Sequence, residues 1–357
     1  MDRVAESLQR QPWRLRWRAP LDGVRGGAIL LVIAGHAHLP RTVGAGQTGV
    51  RLFFCLSGFL ITALVVQELR DTGRLDFRDF YRRRALRLLP ALVASTALVV
   101  VVGMVVGGWF AQWRDVLAVL LYVGNWRLVD DGLGGLAGTW SLSVEEQFYL
   151  LWPALLVLLA RVSTRVLCLV AVGGVAASLA VRLATWSDGD PAMLSYGTQM
   201  HVDALLGGGL LAVALVGRRT PIWSGWWAVP AALVILVGGT AEGASFYLVT
   251  GLASLVGGLW MVAVGALARD GGPLSWSWLG WLGRRSYGIY LYHCPVVFYL
   301  DLQHPQLQWW WRLPIILAFG LGLAVISWRW VEQPFLRRKH RTERPVAAPA
   351  PLAQVDG

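Results

Sequence analysis

Charge is scarce in this 357-residue chain. Only 15% of its residues are Asp, Glu, Lys or Arg, against about 25% in soluble domains, which excludes a water-soluble globular protein. Lysine is nearly missing, with Lys339 the sole example. Cysteine is sparse as well: Cys55, Cys168 and Cys294 lie far apart inside apolar stretches. With no C-x-x-C pair and no Cys/His ligand spacing, no metal site is expected, and the thiols read as small buried hydrophobes. Residues 1–20 lack the apolar core of a signal peptide. They read as a charged, Trp-containing cytoplasmic tail or a helix lying on the membrane surface. No Ser/Thr/Pro-rich linker divides the chain into separate domains, and no soluble domain is expected.

What the chain has in abundance is hydrophobic sequence, 56% of the total. Apolar runs near or above about 18 residues recur, each able to cross a hydrocarbon core of about 30 Å. They predict an all-α integral membrane protein, a helical bundle of about ten transmembrane helices. The spans fall over 24–40, 49–69, 91–110, 142–160, 166–185, 200–217, 222–240, 246–267, 287–302 and 312–331. The segment 115–126 is apolar but only about a dozen residues long, an eleventh span or a re-entrant piece. A net charge of +11 would point to nucleic acid in a soluble protein. Here the basic residues sit between apolar runs, at 3–18, 70–87, 161–165, 218–219, 284–285 and 337–344, which is the cytoplasmic signature of a membrane protein. If 115–126 does not cross, all of these clusters fall on one side. The expectation is ten spans, both termini cytoplasmic, with the lipid bilayer and not nucleic acid as partner. Residues 21–336 form one transmembrane domain, and 337–357 turn charged and then Pro/Ala-rich, a disordered cytoplasmic tail.

Ionisable residues inside apolar spans are costly and usually functional. The first span runs from Leu21-Asp22-Gly23-Val24-Arg25 to His36, and Arg25 and His36 stand eleven residues, about 16 Å, apart on one helix face. His36 reads either as a site residue or as a histidine satisfied by a backbone carbonyl, and Arg25 as a site residue or an arginine snorkelling to the interface. The second span opens Gly49-Val50-Arg51-Leu52-Phe53-Phe54-Cys55-Leu56-Ser57-Gly58-Phe59, where Ser57 and Gly58 favour close helix packing. Phe80-Tyr81-Arg82-Arg83-Arg84-Ala85-Leu86-Arg87-Leu88-Leu89-Pro90 places Arg83, Arg84 and Arg87 on one side of a helix. Such a cluster suits a multiply charged phosphate ligand or anionic lipid headgroups. Trp140-Ser141-Leu142-Ser143-Val144-Glu145-Glu146-Gln147-Phe148-Tyr149 carries adjacent carboxylates at the outer mouth of a span, at the depth expected of His36. Ser286-Tyr287-Gly288-Ile289-Tyr290-Leu291-Tyr292-His293 sets a histidine mid-span beside three tyrosines. Glu332-Gln333-Pro334 closes the last span, with Pro334 ending the helix and Glu332 pairing with an arginine.

Together these blocks resemble the bacterial acyltransferase 3 family, relatives of the O-antigen, peptidoglycan and macrolide acylating enzymes. The matching stretches Leu21–His36, Gly49–Thr62, Phe80–Pro90, Thr139–Pro153, Ser286–His293 and Glu332–Pro334 run in the family's order over roughly 21–336. The family's Arg-x10-His motif falls on Arg25 and His36, its Arg-x-x-Arg motif on Arg84 and Arg87, and its block glutamate on Glu145. The resemblance implies acyl transfer from acyl-CoA, usually acetyl-CoA, to a carbohydrate hydroxyl. Arg51 departs from it, standing where the family commonly has an acidic residue, so a charge-pair role of that residue does not carry over. A hydrolase-like extracytoplasmic domain fused in some relatives has no counterpart here, so any handover to one would require another chain.

A thioester donor asks for a base, a stabiliser of the oxyanion and a grip on the leaving group. Histidine suits the first role. His36 is thus expected as general base, with Glu145 orienting it or binding the acceptor. Arg83, Arg84 and Arg87 would hold the CoA phosphates, Arg25 would meet the pantetheine arm or charge near the thioester, and Trp140, Glu146, Tyr290 and His293 would contact the acceptor. No metal is called for. The alternative from another class is a transporter or flippase of a lipid-linked sugar, against which stands the lack of an evident internal repeat.

Overall fold

A computed structural model describes residues 12–42, 44–106, 112–130, 132–240, 246–268 and 272–341. The remaining residues lie outside it, among them most of the two terminal segments read above as tails. The described chain is helical, with no β-strand. In chain order come α1 (Ala19–His36), α2 (Ala45–Thr72), α3 (Phe77–Val106), α4 (Trp113–Leu120), α5 (Gly124–Asp130), α6 (Trp140–Val162), α7 (Thr164–Asp188), α8 (Pro191–Tyr196), α9 (Val202–Leu215), α10 (Ala228–Gly239), α11 (Phe246–Leu267), α12 (Ser277–Gln303) and α13 (Trp309–Ser327). A π-helical turn, Trp328–Glu332, leads into α14 (Gln333–Arg341).

Among the described residues, six helical stretches are long and apolar enough to cross a membrane: Ala45–Thr72, Phe77–Val105, Gly134–Val162, Thr164–Ser187, Leu248–Leu267 and Trp309–Arg337. The chain is a multi-pass membrane protein. Four further expected spans coincide with helices of a different character. α9 and α10 are apolar but have only 14 and 12 residues, short of the roughly 20 that a straight crossing takes. α1 and α12 carry charge in their first halves, Asp22 and Arg25 in one and Arg284 and Arg285 in the other. Segment 115–126 resolves into parts of α4 and α5, of eight and seven residues, joined through Tyr122 in the left-handed region at φ 55°. Each is about 12 Å long or less, far too short to span.

α2 is the central helix, packed by α1, α9 and α11. Small residues let it be crossed closely: a Cβ on Gly58 would overlap the Leu205 carbonyl, and one on Gly208 the Cys55 carbonyl, as expected where backbones themselves make the contact. α1 lies between α2 and α12. α3, α6, α7 and α13 form the periphery and present apolar side chains outward, Met104, Leu150, Leu169 and Phe319 among them. That is the composition of a lipid-facing surface.

The basic segments converge on one end of the bundle. Arg14 pairs with Asp71, the Trp13 N–H donates to the Arg218 carbonyl over 2.8 Å, Arg284 lies 3.8 Å from Asp22, and Arg74 and Arg161 line one groove. The described part of the N-terminal segment is therefore neither a free tail nor a surface helix. Residues 12–18 form an irregular strap in which Trp13, 5% exposed, donates its indole N–H to the Ala266 carbonyl over 3.0 Å. Nor does Pro334 end the last helix. The π-helical turn resets the backbone, and Pro334 falls in the first turn of α14, where a missing N–H costs nothing.

Candidate active site

Near the basic end, α1, α2, α3, α6 and α12 enclose a cavity of about 270 Å³. Arg25, Arg84 and Arg87 line it together with Glu145, Ser57 and Tyr290. The motifs that spacing singled out on five separate helices thus meet in one place. Glu145 sits one turn into α6 and accepts a hydrogen bond from Ser57 Oγ over 2.8 Å, so Ser57 serves the site as well as helix packing. On the inner wall Ser141 Oγ donates to Tyr290 Oη over 2.8 Å.

The three arginines of α3 do not act as one group. Arg84 makes a forked pair with Glu146, Nε at 3.0 and 3.1 Å from the two carboxylate oxygens and Nη2 at 2.7 Å from one, and its guanidinium lies 3.2 Å from the Tyr149 ring centroid. Its charge is largely answered within the protein, with Glu146 as its ion-pair partner. Arg83 turns away toward Asp79 on its own helix and Glu68 on α2. It does not line the cavity, because consecutive helical positions point about 100° apart. Arg87 lines the cavity with no ion pair among the described residues. With Arg25 held 3.5 Å from Asp22, Arg87 is the cation most available to an incoming anion.

His36 occupies the other end of α1, about 16 Å away. The helix stops there: Ala37 caps it, Thr42 Oγ1 donates to the Ala34 and Leu39 carbonyls, and exposed His38 adopts φ 57°. His36 is not oriented by Glu145. Its Nδ1 lies 2.9 Å from Nε2 of His293, whose Nδ1 is 2.9 Å from the Ile289 carbonyl. Both nitrogens of His293 are engaged and the side chain is fully buried. Tyr290 joins the two ends: it lines the cavity, and its ring centroid lies 5.6 Å from that of His293. Trp140 belongs to neither. It packs against Phe54, Tyr196 and His201 as a buried aromatic. Glu332 accepts a hydrogen bond from Ser327 Oγ and has no arginine ion pair among the described residues. Cys294 is the one thiol beside these groups: ligand atoms of His36, His293 and Cys294 lie within 4.8 Å of one another, a grouping that spacing along the sequence cannot display.

Comparison with known proteins decides the family. A family model for an acyltransferase domain matches residues 18–329. The chain belongs to the acyltransferase 3 family. This family member is 32% identical over 88% of its length to the peptidoglycan O-acetyltransferase OatA of Listeria monocytogenes. It is 31% identical over 92% to the putative peptidoglycan O-acetyltransferase YrhL of Bacillus subtilis, and 28% identical over 91% to the O-acetyltransferase OatA of Staphylococcus aureus. It spans 55%, 56% and 58% of those proteins, just over half their length. No solved structure matches it. The transporter reading finds no support among these relatives.

Sequence reasoning missed one buried network of this chain. Arg51 of α2, far from lacking a charge partner, pairs with Asp203 of α9 over 2.7 Å, and Arg182 of α7 meets the same carboxylate at 3.0 Å. Arg51 also donates to Ser254 Oγ and to the Met200 and Gly251 carbonyls. Arg182 and Asp203, both ionisable and inside apolar spans, were the available signal.

Proposed function

We propose that this acyltransferase takes an acyl group, acetyl in the simplest case, from acyl-CoA held in the arginine-lined cavity and esterifies a carbohydrate hydroxyl presented at His36. The observation that carries this is a series of contacts: Arg25, Arg84, Arg87, Glu145 and Tyr290 line one cavity, and Tyr290 packs against His293, which is bonded to His36. One end offers guanidinium groups, which suit phosphate. The other offers an imidazole, which suits proton removal. The cavity takes the thioester arm and leaves the bulky nucleotide outside, near the basic end. That end faces the cytoplasm by the positive-inside rule, which puts both chain termini there, with α1 to α3, α6, α7 and α9 to α13 as the ten spans of a bacterial cytoplasmic membrane protein. The acceptor hydroxyl loses its proton to His36 and attacks the thioester carbonyl. The thiol departs with that proton, and the ester remains on the sugar. The relatives' names make a peptidoglycan sugar the first acceptor to try.

The test is direct. Purified protein in lipid nanodiscs receives acetyl-CoA radiolabelled in the acetyl group, with peptidoglycan fragments and other glycans in parallel. Alkali-labile label on a saccharide, with one free thiol released per ester, is the expected result. No ester on any glycan and no saturable binding of acetyl-CoA would refute the donor and the reaction together.

A further inference from the structure

His293 lies in the half of α12 remote from the basic end, and its surroundings fix which of its nitrogens carries a proton. Nδ1 is 2.9 Å from the carbonyl oxygen of Ile289, one turn back on the same helix. A carbonyl only accepts, so this nitrogen is the N–H. A neutral ring suits a site with 0% exposure, and a neutral imidazole has a single N–H. Nε2 of His293 is then a lone-pair acceptor, and it faces Nδ1 of His36 over 2.9 Å. His36 must donate from Nδ1, which leaves its lone pair on Nε2, an atom with no hydrogen bond among the described residues.

Packing holds this chain of bonds in place. A Cβ on Gly320 of α13 would come within 2.9 Å of the His293 Cβ and 3.2 Å of its Cα, and a Cβ on Gly138 would overlap the Cys294 thiol. Two glycines therefore flank the 293–294 turn and let α12 settle where its histidine reaches α1. The rings sit with centroids 5.1 Å apart at 34°, tilted rather than stacked, a placement compatible with a hydrogen bond between ring nitrogens.

We infer that His293 is a positioning residue: it locks His36 in the Nδ1–H tautomer, so that His36 Nε2 is the basic atom offered to the acceptor hydroxyl. The inference rests on the acyl-transfer reading above. In the reaction the hydroxyl proton moves to His36 Nε2 as the C–O bond forms. The Nδ1–H···Nε2 bond to His293 becomes charge-assisted and strengthens. The proton then passes to the sulfur as the C–S bond breaks, giving ester and free thiol with both rings restored. The arrangement is that of an orienting partner in a catalytic triad, which fixes tautomer and direction without touching substrate.

The experiment uses full-length protein in nanodiscs with ¹⁵N-labelled histidine. Resonances are assigned by comparison with His36→Ala and His293→Gln, and turnover is measured with radiolabelled acetyl-CoA and the accepted glycan. The wild-type spectrum is expected to show His36 protonated at Nδ1 and bare at Nε2. His293→Leu, which removes the acceptor, should lose that tautomer and lower kcat about 100-fold, with KM for both substrates within about threefold. His293→Gln offers an amide oxygen to the same N–H, and should recover kcat to within about tenfold of wild type. A wild-type His36 protonated at Nε2 would overturn the inference even if every variant misfolds. So would unchanged kcat in a folded His293→Leu protein, or a stoichiometric metal whose removal abolishes turnover, since His36 Nδ1 would then be a ligand and not a donor. If His36→Ala itself keeps near-normal turnover, the base assignment has failed, and the inference falls with it. If only the His293 variants behave as wild type, the positioning role alone has failed.

Discussion

Arg84 and Arg87 stand one helical turn apart and look equivalent in an Arg-x-x-Arg motif, yet their surroundings give them different work. Arg84 is spoken for by Glu146 and Tyr149, whereas Arg87 is open to the cavity. Arg84→Ala should therefore strand the Glu146 carboxylate and cost roughly 2–4 kcal/mol of stability, seen as a lower thermal midpoint in detergent. Arg84→Lys should restore only part of it, because a point charge does not reproduce the fork. Arg87→Ala should leave the midpoint unchanged and weaken acetyl-CoA binding by about 10- to 100-fold, the worth of one lost charge-assisted hydrogen bond. Binding of a dephosphorylated pantetheine analogue should not change. Equal losses for both ligands would mean that Arg87 contacts something other than phosphate. Intramembrane charge made Arg25, Arg84, Arg87 and Glu145 legible in the sequence, because each is too costly to keep without a task. The split between Arg83, Arg84 and Arg87 was not legible. It depends on where Glu68, Asp79 and Glu146 come to rest, which only packing decides.

At the scale of elements, the Arg51–Asp203–Arg182 network ties α2, α9 and α7 together through one carboxylate buried at 0% exposure. Removing that carboxylate leaves two buried guanidinium groups without their counterion, while removing one arginine leaves the other pair intact. Asp203→Ala should thus destabilise the bundle by about 3–5 kcal/mol, more than Arg51→Ala or Arg182→Ala. The order of the three thermal midpoints checks it. A smallest effect for Asp203→Ala would show that the network is not what joins these helices. Helix positions themselves were largely readable, since long apolar runs declare α2, α3, α6, α7, α11 and α13. Helix ends were not. α12 begins ten residues before its apolar run, carrying Arg284 and Arg285 within it, and α14 continues past Pro334 because a π-helical turn precedes it.

Over the whole molecule, the basic segments gather at one end and the histidine pair lies toward the other. Cysteine labelling in intact cells should find positions 74, 161, 219 and 284 accessible only from the cytoplasm, and positions 41, 134 and 304 only from outside. Position 161 accessible from outside would mean that the short helices α4 and α5 together cross the membrane, and the ten-span arrangement would be lost. The pairing of His36 with His293, 257 residues away, is a property of this architecture alone. Local spacing along either helix gives no sign of it, which is why Glu145 looked like the natural partner of the imidazole. The measurement that bears most directly on the enzyme is acyl transfer by His36→Ala. This protein should insert, fold and bind acetyl-CoA as wild type does, because Arg25, at the arginine end of the cavity, lies about 16 Å away along α1. Its turnover should fall by roughly 100- to 10,000-fold, the usual worth of a general base, while His38→Ala and His304→Ala keep most of theirs. A folded His36→Ala protein that transfers acetyl groups at near-normal rate would contradict the central claim.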